Sequence, residues 1–303
     1  MTARFTPGCV ELGAAELSRR AAELRGRGAP CTWCPRACGV NRLNGERGAC
    51  GAAGEVLIAS AQLHFGEERH FVGRGGSGTV FFSCCNLGCL FCQNYDISHL
   101  RGGMPVSTGE LATVFCSLQG QGAENLNLVT PSHYPAEILA ALAIAVDSGF
   151  SLPVVWNSGG YDSVVTLEYF GGVVDVYMPD FKFADDTLGA RLTQAADYAT
   201  VAKQALSEMV RQVGPGLTKE AGVARHGMSV RHLVMPGFYD NSRTCLDFLA
   251  KLSPEICVNV MAQYRPCYQA NTIPELRRGV DHREYRALID YGHKLGLRNV
   301  LAQ

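Results

Sequence analysis

Beyond residue 78 the chain alternates short apolar stretches with amphipathic ones, and this alternation limits its architecture more than any other feature. The apolar stretches are TVFFSC (79–84), NLNLVT (125–130), PVVWN (153–157), VVDVYMPDF (173–181), VRHLVMPG (230–237) and ICVNVMAQY (256–264). Each is too short for a typical helix and largely apolar, the pattern of a parallel strand covered on both sides. Around them PAEILAALAIAVDSG, YDSVVTLEYF, ADYATVAKQALSEMVRQVG, SRTCLDFLAKL and DHREYRALIDYGHKLG place apolar residues at helical spacing. Strands alternating with helices predict an α/β fold on a parallel sheet. Six units fall short of a closed eight-fold barrel, so the expected form is an incomplete (β/α)6-type TIM barrel. An open doubly wound sheet is the alternative that periodicity leaves standing. In either fold, ligands gather at the C-terminal ends of the strands.

The 303 residues suit one large domain with an appendage. A boundary is expected at the GRGGSG loop, which divides an N-terminal helix and Cys-rich knot (1–74) from a core domain (75–303). Apolar residues at 47% and charged residues at 18% describe a compact chain rather than a disordered one. A net charge of −1 supplies no attraction for nucleic acid or an anionic membrane. No apolar run approaches a membrane span and no signal core opens the chain, so the expected location is the cytoplasm. Thirteen cysteines in a reducing compartment favour metal ligation over disulfides. Cys9, Cys116, Cys245, Cys257 and Cys267 stand among apolar neighbours and read as small buried hydrophobes. The other eight form two clusters.

The first cluster, Cys31-x2-Cys34-x3-Cys38-x11-Cys50, offers four thiolates. Four are enough to close a zinc site or to hold an iron–sulfur cluster, with no position left open for catalysis. The second follows the first apolar strand as Cys84-Cys85-x3-Cys89-x2-Cys92. Read from Cys85, three thiolates converge on a soft metal and leave it one open position. Read from Cys84 with the distant Cys116, the spacing is that of a two-iron ferredoxin cluster. Zinc is a third reading, without a fourth ligand at zinc-finger spacing. A side chain at Cys84, placed on the strand, should point away from that of Cys85, which favours the first reading.

The loop CNLGCLFCQN (85–94) resembles the signature of the radical S-adenosylmethionine (SAM) superfamily, with Phe91 as the aromatic residue before the last cysteine. CPRACGVNRLNGERGACG, LVTPSHY, WNSGGYDS, DVYMPDFKF, RHLVMPG and MAQYRP, in order along the chain, are similar to the pyruvate formate-lyase activating enzyme-like branch. That resemblance implies a radical SAM core. Cys85, Cys89 and Cys92 would hold a [4Fe-4S] cluster, its open iron chelated by SAM. Reductive cleavage of SAM would then yield a 5′-deoxyadenosyl radical that takes hydrogen from a substrate. The resemblance also implies cofactor contacts from Phe91, Ser132, His133, Asn157, Ser158, Asp180, Lys182 and Arg231, with Met178 nearby. The Gly-Gly-Glu run that the family carries after its second strand is absent here. Where the family has glycine before the first cluster cysteine, this chain has Cys84.

The expected function is therefore a radical SAM oxidoreductase served by an external electron donor of flavodoxin or ferredoxin type. Its substrate would be the glycine of a glycyl radical enzyme or, alternatively, a small molecule or other non-glycyl target. A reading from another class, an iron–sulfur electron-transfer protein, finds no use for Asn157, Asp180 and Lys182.

Overall fold

The computed structural model describes residues 5–302. Its strands are β1 (Val56–His64), β2 (Ser77–Phe82), β3 (Met104–Val106), β4 (Leu126–Val129), β5 (Val154–Asn157), β6 (Val176–Tyr177), β7 (Thr218–Glu220), β8 (Val223–Leu233), β9 (Cys257–Met261) and β10 (Asn299–Ala302). Its helices are α1 (Gly8–Gly26), α2 (Arg69–Val72), α3 (Tyr95–Ser98), α4 (Thr108–Gly120), α5 (Pro135–Asp147), α6 (Val164–Glu168), α7 (Asp186–Thr193), α8 (Tyr198–Val213), α9 (Tyr239–Leu252) and α10 (His282–Lys294).

One sheet runs in the order β10-β9-β8-β6-β5-β4-β2-β1-β3, with β7 paired to β8. From β2 to β10 every neighbouring pair along this path is parallel, whereas β1 joins β2 and β3 antiparallel. The α/β expectation therefore holds. Three details differ. A further parallel strand, β10, follows the six expected ones; its four residues, NVLA, are a short run that does not stand out by apolar character. The fourth stretch contributes only Val176–Tyr177 to the ladder. The fifth strand starts seven residues before the expected Val230, at Val223, because RHG interrupts an apolar run that the backbone continues through.

The sheet curls. Asn127 of β4 donates to Glu67 (3.1 Å) and Asn259 of β9 donates to Glu68 (2.6 Å). In a flat sheet these strands would lie about 19 Å apart, so their meeting on adjacent residues brings the far ends of the parallel run toward one another. Among the described residues no ladder joins β10 to β2.

Helix α5 explains how the N-terminal segment attaches. It is apolar nearly all round, with Ile138, Leu139 and Leu142 buried among five small alanines that permit close approach. Helix α1 packs on it, burying Leu17, Ala21 and Leu24 at i, i+4 and i+7. One hydrophobic core extends from Cys9 to Leu297. Strands β1 and β2 pair across residues 74 and 75. Among the described residues, no helix is long and apolar enough to cross a membrane.

Candidate cofactor site

Strand β2 ends at the buried Phe82, and the chain turns sharply at Ser83 and Cys84. Cys84 takes a φ of +72°, the left-handed region that L-residues other than glycine, asparagine and aspartate seldom occupy. It thus lies in the turn after the strand, not on the strand as expected. Its side chain is fully buried beside Tyr134 and Cys50, while Cys85 faces Cys89, Cys92 and Lys182. The two neighbouring thiols therefore do point to different places.

The loop from Cys85 to Cys92 is pinned from several elements. Gly88 N donates to Thr193 O (2.8 Å) and Leu90 N to Leu192 O (3.0 Å), both at the end of α7. Asn86 donates to Tyr161 O (2.7 Å), and Arg36 of the N-terminal knot donates to Asn86 O (2.8 Å). His99 lies 3.1 Å from Cys89 O. Leu87 N donates to Cys85 Sγ (3.4 Å), which favours the thiolate. Burial, with the neighbouring thiols adding to it, pushes Cys85 well above the usual thiol range. Cys89 is pushed up to about 12 by burial, despite the Lys182 ammonium. Buried sulfurs that repel one another when ionised are the donor set a soft cation would relieve. Cys92 Sγ lies 3.2 Å from Ser98 Oγ. Among the described residues, no group of three or more His, Cys, Asp or Glu side chains is already gathered into a coordination shell.

Opposite this loop stand the ends of β5 and β6. Lys182 ion-pairs with Asp180, both largely buried. Burial pulls its pKa down, but Asp180 and Cys89 outweigh it and hold the ammonium above the ordinary lysine range. The Tyr198 hydroxyl ties the two strand ends together. It donates toward Gly159 O (3.0 Å) and accepts from Lys182 N (3.0 Å). A Cβ at Gly160 would sit 2.2 Å from Asp180 O, and its φ is +76°, so only glycine lets these loops meet. Phe91 is buried edge-on against Phe183 at 6.1 Å, where it forms wall rather than open surface.

Ser132 and Ser158, expected as cofactor contacts, both donate to Asp162, as does Trp156 Nε1. Asp162 is buried, and burial raises its pKa against these bonds. The sequence reading passed over Asp162 because it opens an apparent helix, YDSVVTLEYF. The signal available was an acidic residue four positions after a serine at a strand end. His133 faces Ser83 O (2.8 Å) with Nε2, and its own carbonyl accepts from Arg42. It is 1% exposed, and burial lowers its pKa to about 3. Asn157 ends β5, its carbonyl accepting from Thr130 N (2.8 Å).

Arg231 lies near the end of β8, its backbone bridged to Asp180. It pairs with Glu67 and Glu68, which sequence reading did not single out. Burial of Glu68 is outweighed by Arg231, leaving its pKa at about 2. With Asn127 and Asn259 these groups form a polar interior within the curl of the sheet.

No protein-family model matches the chain. A protein of Methanocaldococcus jannaschii, described only as uncharacterized protein MJ0674, is 34% identical over 277 residues, 88% of this chain and 75% of its own length. The chain belongs to the MJ0674 family. Two solved structures of Streptococcus suis SuiB are similar to this MJ0674-family member. The one bound to precursor peptide SuiA gives a TM-score of 0.50 at 10% identity and covers 72% of this chain. The one bound to S-adenosylmethionine gives 0.48 at 12% identity. The chain spans less than half of SuiB, 45–46% of its length. At this identity the first likeness supports a shared α/β fold for this chain and nothing finer.

Proposed function

We propose that the protein is a radical SAM enzyme of the activating-enzyme-like kind. The observation that carries this reading is the loop after β2, where the half-buried Cys85 and the buried Cys89 both feel the Lys182 ammonium. Cys85, Cys89 and Cys92 would hold the cluster. When bound, a four-iron cluster with SAM supplies reductive cleavage to a 5′-deoxyadenosyl radical. The chain's own groups prepare that chemistry. Leu87 N–H stabilises negative charge on Cys85. Lys182 presents a cation suited to a carboxylate, and Asp180 keeps it protonated. Asp162 fixes the Ser132 and Ser158 hydroxyls, so their remaining lone pairs can accept from an amino group. Phe91 and Phe183 keep water from the loop. Asn157 completes the group at the strand ends.

The proposal includes an external donor of flavodoxin or ferredoxin type and a polypeptide substrate, whose backbone glycine would lose the hydrogen. SuiB, which shares the fold, is itself seen with a precursor peptide.

Anaerobic reconstitution with iron and sulfide, followed by reduction and electron paramagnetic resonance, tests the reading. A four-iron signal that SAM perturbs is expected in wild type and in Cys84→Ala, and its loss in Cys85→Ala, Cys89→Ala and Cys92→Ala. A two-iron signal that depends on Cys84 and ignores SAM would sink it and leave an electron carrier.

A further inference from the structure

The N-terminal knot contains a feature the proposed reaction does not use: a fully buried arginine without an acidic partner. Arg42 is 1% exposed and lies between the rings of Trp33 (4.8 Å) and Tyr134 (5.7 Å). It donates to Ala53 O (2.7 Å), to His133 O (3.1 Å) and to Cys50 Sγ (3.6 Å). Among the described residues it makes no ion pair with a carboxylate. The nearest acidic group to feel its charge, Glu137, is itself buried, with one oxygen unpartnered and its pKa pushed up by burial. A guanidinium cannot lose its proton to escape burial, so its charge calls for a buried anion.

Thiolates of the knot are the anions at hand. Cys31 favours the ionised form of Cys38. A Cβ at Gly48 would lie 3.0 Å from Cys38 Sγ and 3.7 Å from Cys50 Sγ, so both sulfurs border one spot. Cys34 feels the charges of Cys50, Cys31 and Cys38. The backbone N–H groups of Trp33, Arg36 and Val40 favour the ionised forms of Cys31, Cys34 and Cys38 against burial.

We propose that Cys31, Cys34, Cys38 and Cys50 form a second, separate four-thiolate site for a soft metal, with Arg42 as its buried countercharge. Four thiolates around a divalent ion or an iron–sulfur cluster leave net negative charge, which Arg42 offsets at Cys50. Binding requires the thiolates to rotate inward and releases their protons to solvent. The site adjoins the cluster loop, since Cys85 N donates to Cys50 O at 3.4 Å. It does not depend on the reading of that loop.

The test uses the full chain with Cys85, Cys89 and Cys92 all changed to Ala, so the knot is examined alone. Anaerobic titration with cobalt(II) should give one equivalent bound, with thiolate-to-cobalt charge transfer and tetrahedral d–d bands that zinc abolishes. Adding Cys34→Ser or Cys50→Ser should remove the charge-transfer band. Metal and sulfide content of the same variant as purified distinguishes zinc from an iron–sulfur cluster, and either supports the site. Arg42→Gln should weaken zinc at least tenfold in chelator competition, and Arg42→Lys should recover part of that. A folded variant, judged by circular dichroism, that binds no cobalt and carries no metal would overturn the proposal. Unchanged affinity in Arg42→Gln would overturn the countercharge.

Discussion

Cys84 shows how one backbone angle separates two chemistries. Its φ of +72° turns the chain so that successive thiols face different neighbours, Cys50 and Tyr134 on one side and the cluster loop on the other. A left-handed L-residue costs about 1–2 kcal/mol, and glycine would avoid that cost but lose a buried side chain. Cys84→Gly should therefore change stability by no more than about 1 kcal/mol, whereas the β-branched Cys84→Val should lose more than about 2 kcal/mol. Urea denaturation of both variants checks this. The loop's cysteine spacing was legible in the sequence; the turn was not, because a non-glycine at positive φ carries no composition signal. His133 makes a second prediction at this scale. Its folded pKa, about 3, lies below the unfolded value near 6.5, so its stabilisation is present above pH 6.5 and lost as pH falls toward 3. His70, lowered by burial to about 4, acts in the same direction. Each should cost about 2 kcal/mol by pH 5. Melting temperatures of wild type and His133→Gln at pH 7.5 and 5 should show a flatter pH dependence in the variant; parallel profiles would refute the assignment.

At the scale of elements, two strand ends are held together through a helix. Tyr198, on α8, reaches the ends of both β5 and β6 through a single hydroxyl. Tyr198→Phe leaves Lys182 N without its acceptor and should cost about 1–3 kcal/mol. It should also loosen Lys182, read as faster amide exchange at residues 180–183 with the amides of β4 unaffected. The helices and most strands were readable from periodicity alone, since α5 and α8 keep apolar residues at helical spacing and β4 and β5 are short apolar runs. β6 and β8 were misjudged in extent because ladder pairing, not side-chain character, sets where a buried strand stops. Lys182 and Asp180 were named from local motif. Asp162 was not, since its role depends on two serines brought from different strand ends.

Across the whole molecule, Arg231 between Glu67 and Glu68 fixes the polar interior of the curled sheet. Removing it leaves two buried carboxylates without the guanidinium that pairs with both. Arg231→Met should destabilise by about 3–5 kcal/mol, and adding Glu67→Gln and Glu68→Gln should recover much of that. Thermal denaturation of the single and triple variants decides it, and no recovery in the triple would show that the loss is one of packing. No sequence pattern announced this cluster, because its members come from four separate segments. Glu68 lies 163 residues before Arg231 and 191 before Asn259. A chain emerging from the ribosome must therefore carry Glu68 through the synthesis of six further strands before its charge is matched by Arg231 in β8. The interior cannot be sealed piecemeal, and the nascent chain stays dependent on its last third until β9 has been made.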